Sequence, residues 1–293
     1  MNYKEAKSIH TSNIFEQFNT DPLFLFLNQF MKAGNKELQA QFLKYINFTP
    51  TGRLIAEKFL ETYNYVQSNN LLDSVIQFII DNRDEAIWFS EKETQQKLQE
   101  LSNIDLSKDN FNPTSNIDKT LFNRVQRATS ISELTQIINN IENMLEKKIY
   151  WTYYNTQTTR LIEDIFNKHL KVTPTLVDIK GVDFFINKIP LDLKITRIPQ
   201  GFDTNFDKET LIKWLYEQQS KERFGAENRL FLILNDSSNP TNSDRLKTSH
   251  YNLIKTTINA YLNTYTDDNL LNIGFTIGDN IYRVKSDLIF INV

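Results

Sequence analysis

The chain of 293 residues contains no cysteine. Disulfides, thiolate metal centres and cysteine nucleophiles are therefore excluded. Its three histidines, His10, His169 and His250, are scattered, so a histidine-based zinc site is not expected. Seven glycines and seven prolines are fewer than average usage supplies, which points to long regular elements, mostly helices, with few tight loops. No window approaches the ~18 consecutive apolar residues of a membrane helix. The opening Met1-Asn2-Tyr3-Lys4-Glu5-Ala6-Lys7 has neither the apolar stretch nor the cleavage pattern of a secretory signal. A cytoplasmic protein with no membrane partner is expected. Positive charge is not in excess either: 33 Lys and Arg stand against 36 Asp and Glu, a net charge of −3. That balance does not announce a nucleic-acid binder, although phosphate contacts depend on local distribution rather than on the total. The metal chemistry left open is that of carboxylates and other oxygen ligands, which suits Mg²⁺ or a similar hard cation.

Apolar residues are present at helical spacing through the first hundred positions. They recur in Phe24, Leu27, Phe30 and Met31, in Leu38, Phe42 and Tyr45, in Leu54, Phe59, Leu60 and Tyr63, and in Leu72, Val75, Ile76, Ile79 and Ile80. Pro22 and Pro50 follow Asp and Thr cap candidates and read as first-turn prolines. Residues 1–118 are expected to form a helical N-terminal domain serving as scaffold, dimer contact or DNA contact, with Trp88 and Phe89 in its core. The Asn-, Ser- and Asp-rich stretch 102–118 is the linker candidate. A helix follows from a cap at Ser130 or Ser132 through Leu134, Ile138 and Leu145, and its continuity past Tyr150-Trp151 is left open by the pattern. Leu161, Ile162, Ile165, Phe166 and His169 then form a helical stripe, with His169 a hydrogen-bonded rim residue rather than a catalyst.

The densest information lies in Gly181-Val182-Asp183-Phe184-Phe185-Ile186-Asn187-Lys188-Ile189-Pro190-Leu191-Asp192-Leu193-Lys194-Ile195. Two strands joined by the turn Asn187-Lys188 pair Ile186 with Ile189 and bring Asp183 opposite Asp192. With side chains alternating, Val182, Phe184, Ile186, Ile189, Leu191, Leu193 and Ile195 share one face, and Asp183, Asp192 and Lys194 share the other. Opposed carboxylates repel, so two acids and a lysine on one face suggest a divalent cation between the acids. A solvated sheet face is the competing account. Acid-x-Lys triplets also occur at Glu5-Ala6-Lys7, Glu146-Lys147-Lys148 and Asp178-Ile179-Lys180, of which only the last lies near the hairpin.

This hairpin resembles the core of the PD-(D/E)xK nuclease superfamily, which includes many type II restriction endonucleases. The resemblance covers roughly residues 150–236 and departs from the family pattern in having Val182 where the signature proline stands. It implies that Asp183 and the acid-x-Lys Asp192-Leu193-Lys194 hold Mg²⁺, with Mn²⁺ as a substitute. Glu163, in Glu163-Asp164-Ile165-Phe166-Asn167-Lys168-His169-Leu170, would be the glutamate of the preceding helix, a claim its neighbour Asp164 shares. The backbone carbonyl of Leu193 would serve as a neutral third ligand, and Lys194 would orient water or neutralise charge. The fold implied is α/β, a restriction-endonuclease-like mixed sheet flanked by helices over residues 119–293, preceded by the all-α domain. The implied activity is Mg²⁺-dependent cleavage of double-stranded DNA by a homodimer, whose twofold axis would match a symmetric site.

DNA contacts are expected from Lys180, Arg197, Gln219 and Arg223, with Thr196, Gln218 and Lys221 beside them, since Gln and Arg suit adenine and guanine edges. The loop Asn239–Ser249, with Arg245 and Lys247, is a weaker candidate. After the hairpin the pattern predicts a helix through Leu211, Trp214 and Leu215. A central strand, Arg229–Asp236, follows, then a helix through Ile254 and Ile258. Closing strands are expected at Ile273–Ile277 and Leu288–Val293, with a short strand possible at Ile281–Val284. Two alternatives stand beside the restriction reading. One is a repair or recombination nuclease acting on branched or single-stranded DNA; the other is a non-enzymatic interaction protein that retains the fold.

Overall fold

A computed structural model describes residues 21–31, 36–104, 130–179, 181–198, 207–219, 227–277 and 280–293. The first five helices are α1 (Pro22–Met31), α2 (Lys36–Tyr45), α3 (Ile55–Ser68), α4 (Leu72–Asp81) and α5 (Glu91–Ser102), with a 3₁₀ turn at Arg83–Ala86. Pro22 opens α1 after Asp21, whose carboxylate accepts the backbone N–H of Phe24. Pro50 departs from expectation. The next helix begins only at Ile55, because the backbone of Thr51 and Gly52 is drawn to the Glu61 carboxylate instead.

One helix, α6 (Ile131–Asn167, 37 residues), runs unbroken through Tyr150-Trp151. Ser130 is its cap, with Oγ accepting from Glu133 N at 3.2 Å. The remaining elements are β1 (Val172–Ile179), β2 (Val182–Ile186), β3 (Ile189–Arg197), α7 (Lys208–Gln219), β4 (Arg229–Asn235), a 3₁₀ turn at Pro240–Arg245, α8 (Leu246–Ser249), α9 (Tyr251–Thr264), a 3₁₀ turn at Asp267–Asn269, β5 (Leu271–Ile277) and β6 (Asn280–Asn292). β5 covers the expected Ile273–Ile277, while β6 runs unbroken through the segments expected separately at Ile281–Val284 and Leu288–Val293.

The six strands form one mixed sheet in the order β1-β2-β3-β4-β6-β5. β1, β2 and β3 are antiparallel neighbours, β3, β4 and β6 run parallel, and β5 returns antiparallel to β6. Helices cover both faces. Leu161, Ile162 and Phe166 of α6 and Ile254 and Ile258 of α9 pack on Phe184, Leu193, Leu230 and Leu232. On the reverse face α7 packs Leu211, Leu215 and Tyr216 against Phe231, Ile233 and Leu288. β4 is therefore buried on both sides, as its continuous apolar run predicts.

The N-terminal helices do not pack by themselves. Their core of Phe26, Phe30, Phe42 and Phe78 continues into Ile179, Val182 and Phe185 of the sheet. Phe26 and Phe185 meet ring to ring at 4.3 Å. The expected boundary at residue 118 lies outside the described residues. Trp88 is not a core residue: its side chain is 54% exposed, while Phe89 packs against the core of α6.

Candidate active site

The β2–β3 hairpin turns at Asn187 and Lys188, with φ of +48° and +70°. This is the mirror-image turn that suits the twist of paired strands. It sets the expected register, Ile186↔Ile189, Phe185↔Pro190 and Phe184↔Leu191. Hydrogen-bonded pairs alternate along an antiparallel ladder, so Leu193 N–H should next donate to the carbonyl of Val182. It donates instead to Asp183 Oδ2 at 2.6 Å. The strands part here, and the acid fills the place of a backbone acceptor. Consequently Val182 does not join the apolar face of Phe184, Ile186, Leu191 and Leu193, as alternation alone predicts; it packs among the N-terminal helices.

β1 explains the parting. Its register against β2 shifts between Pro174↔Phe184 and Ile179↔Val182, a bulge on the edge strand where a proline is tolerated. Within the bulge, Thr175 Oγ1 donates to the Asp183 carbonyl at 2.9 Å, and Leu176 N–H finds the buried Oε1 of Gln29 on α1 at 2.8 Å. Asp183 is thus fixed from both sides, by its backbone on β1 and by its carboxylate on β3.

Asp192 is 5% exposed. Lys194 Nζ meets its Oδ1 at 2.7 Å, and Arg229 Nε stands 3.3 Å from its Oδ2. Arg229 opens β4 directly across the parallel pairing from Asp192. Its guanidinium lies 4.7 Å from the centre of the Tyr216 ring, and Nη2 lies 3.4 Å from Glu227 Oε2. Sequence reasoning did not single out Arg229. The only local signal is a charge heading an otherwise apolar strand, and the parallel partner of that strand is not readable from the chain.

Glu163 closes the group from α6. Burial, then the charges of Asp183 and Asp164, push its carboxyl up to about 7, while Arg160 and Lys194 pull it back. Asp164 has a different task. It is 1% exposed and accepts the backbone N–H groups of Trp88 at 2.9 Å and Phe89 at 2.8 Å. Asp164 is thus engaged with the Trp88–Phe89 backbone, and Glu163 is the acid of this turn on which the charges of Asp183 and Lys194 act. His169 sits on the rim, its ring paired with Asn263 Oδ1 at 3.1 Å.

The remaining candidates are scattered. Arg197 Nε lies 3.3 Å from Asp244 Oδ2 and Nη1 donates to the Thr241 carbonyl, yet the side chain stays 44% exposed. Lys247 is withdrawn from any duplex, because it is buried between Asp244 and Asn155. Lys180, Lys221 and Arg223 lie outside the described residues, as do the side chains of Gln218, Gln219 and the competing Asp178.

Among the described residues no three acidic or histidine side chains form a ready metal cluster. The donor types nevertheless fit a hard cation. Asp183 and Glu163 are carboxylates close enough for one to raise the other, a repulsion that a divalent ion relieves. The place beside Asp192 is shared differently, since Lys194 and Arg229 already supply positive charge there. Comparison with protein-family models, with curated proteins and with solved structures gives no match.

Proposed function

We propose that this chain is a Mg²⁺-dependent endodeoxyribonuclease of the PD-(D/E)xK type, acting on double-stranded DNA as a homodimer in the manner of a type II restriction enzyme. What supports the reading is the pairing of Lys194 with the buried Asp192, the Asp183 carboxylate seated on the Leu193 N–H between them, and the charge of Asp183 acting on Glu163. A bound Mg²⁺ would be held by Asp183, Asp192, the Leu193 carbonyl and Glu163, and would supply an acidified water and positive charge beside the scissile phosphate. The chain's own groups do the rest. Lys194 stands half-exposed at the edge of the group, so its ammonium can orient the attacking water or offset charge growing on the phosphoryl oxygens. Glu163, held near neutrality, can take up or release a proton at working pH. Arg229, 3.3 Å from Oδ2, helps to fix the Asp192 carboxylate.

Arg229 also gives the specific observation behind a second reading, a fold-retaining interaction protein without turnover. Its guanidinium occupies part of the place a cation would take beside Asp192. A calorimetric titration with Mg²⁺ and Mn²⁺ separates the two. The nuclease reading requires binding that disappears in Asp183→Asn, a variant that can still accept from Leu193 N–H. Wild-type protein that takes up neither ion, or a variant that binds as well as wild type, supports the interaction protein.

A further inference from the structure

Single exposed apolar side chains are common on protein surfaces and mean little alone. Trp88 differs in how it is held and where it stands. It is 54% exposed, yet its backbone is clamped to α6. Asp164 accepts from Trp88 N and Phe89 N at 2.9 and 2.8 Å, Asn167 Nδ2 donates to the Ala86 carbonyl at 3.1 Å, and Lys168 Nζ donates to the Phe89 carbonyl at 2.6 Å. Three residues of the turn that follows Glu163 thus fix the backbone from which the exposed indole projects. Above the ring, at 4.1 Å from its centre, lies the Arg160 guanidinium, one turn before Glu163. Arg160 and Glu163 are three residues apart on α6 and share a face of that helix, so the indole and its cation stand one turn from Glu163.

We propose that Trp88 and Arg160 form a nucleotide subsite in which the indole stacks on the base of an unpaired nucleotide and Arg160 meets its phosphate. Naming DNA as the ligand rests on the nuclease reading above. The chemistry favours this occupant over others. Base–aromatic stacking tolerates any sequence because every base has a π-face, and a planar guanidinium can both stack and pair with phosphate. A polyanion approaching two acids also needs positive charge nearby, which Arg160 and Lys194 supply. A base inside a duplex is already stacked on both sides. The subsite therefore suits a frayed, single-stranded or extruded nucleotide next to the scissile bond. The backbone clamp lowers the ordering cost of binding, because the segment that carries the ring is already fixed.

The test is a fluorescence-anisotropy titration of the full chain in EDTA, so that binding is read without turnover. The probes are a labelled duplex with a single-stranded extension and the same duplex with blunt ends. The proteins are wild type, Trp88→Ala and Trp88→Phe, each checked by thermal melting. Trp88→Ala should bind the extended probe about 5- to 150-fold more weakly. Trp88→Phe should recover most of that loss, and the blunt duplex should be much less affected. Alanine binding both probes within about twofold of wild type, or losing equally on both, overturns the subsite while leaving the nuclease reading standing. Wild-type protein that binds neither probe, in EDTA and again in Ca²⁺, removes both.

Discussion

Lys194 reaches the Asp192 carboxylate at 2.7 Å while more than a third of its side chain faces solvent. Arg229 stays beside the buried Asp192 when Lys194 is removed, so the carboxylate is not left without a cation. If Lys194 acts on the reacting phosphate, Lys194→Ala should melt within a degree or two of wild type and bind DNA almost equally. It should cut roughly a hundredfold or more slowly, the scale of losing one group that acts in the transition state. Single-turnover cleavage at saturating protein reads this directly, and a wild-type rate would leave Lys194 as a surface lysine. Glu163 makes a second prediction, on stability. Its carboxyl is raised from an ordinary 4.5 to about 7, so the folded chain holds that proton more tightly than the unfolded one. Stability is then lost as pH climbs from about 4.5 towards about 7, by at most about 3 kcal/mol. Glu163→Gln removes the term. Without divalent ions, the variant should match wild type in urea near pH 4.5 and exceed it at pH 8. Parallel curves across that range would mean that neither burial nor Asp183 raises the Glu163 carboxyl.

Elements differ in how plainly the chain announces them. The β2–β3 hairpin was legible because Asn187-Lys188 can adopt two positive φ values and apolar alternation sets the register around it. β1 was not, because Pro174 and the bulge beyond it break the period of two that marks a strand. Continuity of α6 across Tyr150-Trp151 depends on packing at its far end, where Leu161, Ile162 and Phe166 meet the sheet, and the local pattern there is mixed. Phe26 tests how the N-terminal helices relate to that sheet. It is fully buried and packs at a tilt against Phe185, so Phe26→Ala should cost about 3–5 kcal/mol. Because the two groups share one core, calorimetry should show a single transition moved to lower temperature. A sheet transition left at its wild-type temperature would make residues 21–102 an independent unit.

At the scale of the whole molecule, the mixed sheet with helices on both faces followed from the order of helical and strand patterns. No described helix is long and apolar enough to cross a membrane. The hairpin register was legible as far as Phe184↔Leu191, but the parting of the strands that seats the Asp183 carboxylate on Leu193 N–H was not. What the sequence withheld is non-local: Arg229 reaches Asp192 across a parallel pairing, and Trp88 is held by Asp164, 76 positions away. The assembled site makes a prediction about ions. Ca²⁺ should occupy the same oxygens, support little cleavage because of its looser geometry, and strengthen DNA binding by offsetting repulsion between the acids and phosphate. The enhancement should vanish in Asp183→Asn, read as the Kd with and without Ca²⁺. An equal enhancement in the variant would put the ion elsewhere.

The central claim is hydrolysis of DNA at the Asp183–Asp192–Lys194 group, and the most direct measurement follows supercoiled plasmid under Mg²⁺ on a gel. Wild-type protein should yield discrete linear fragments that EDTA abolishes, while Asp183→Asn and Lys194→Ala, both folded, leave the plasmid supercoiled. A plasmid left intact by wild-type protein in Mg²⁺ and Mn²⁺, or cut equally by the two variants, would contradict the account.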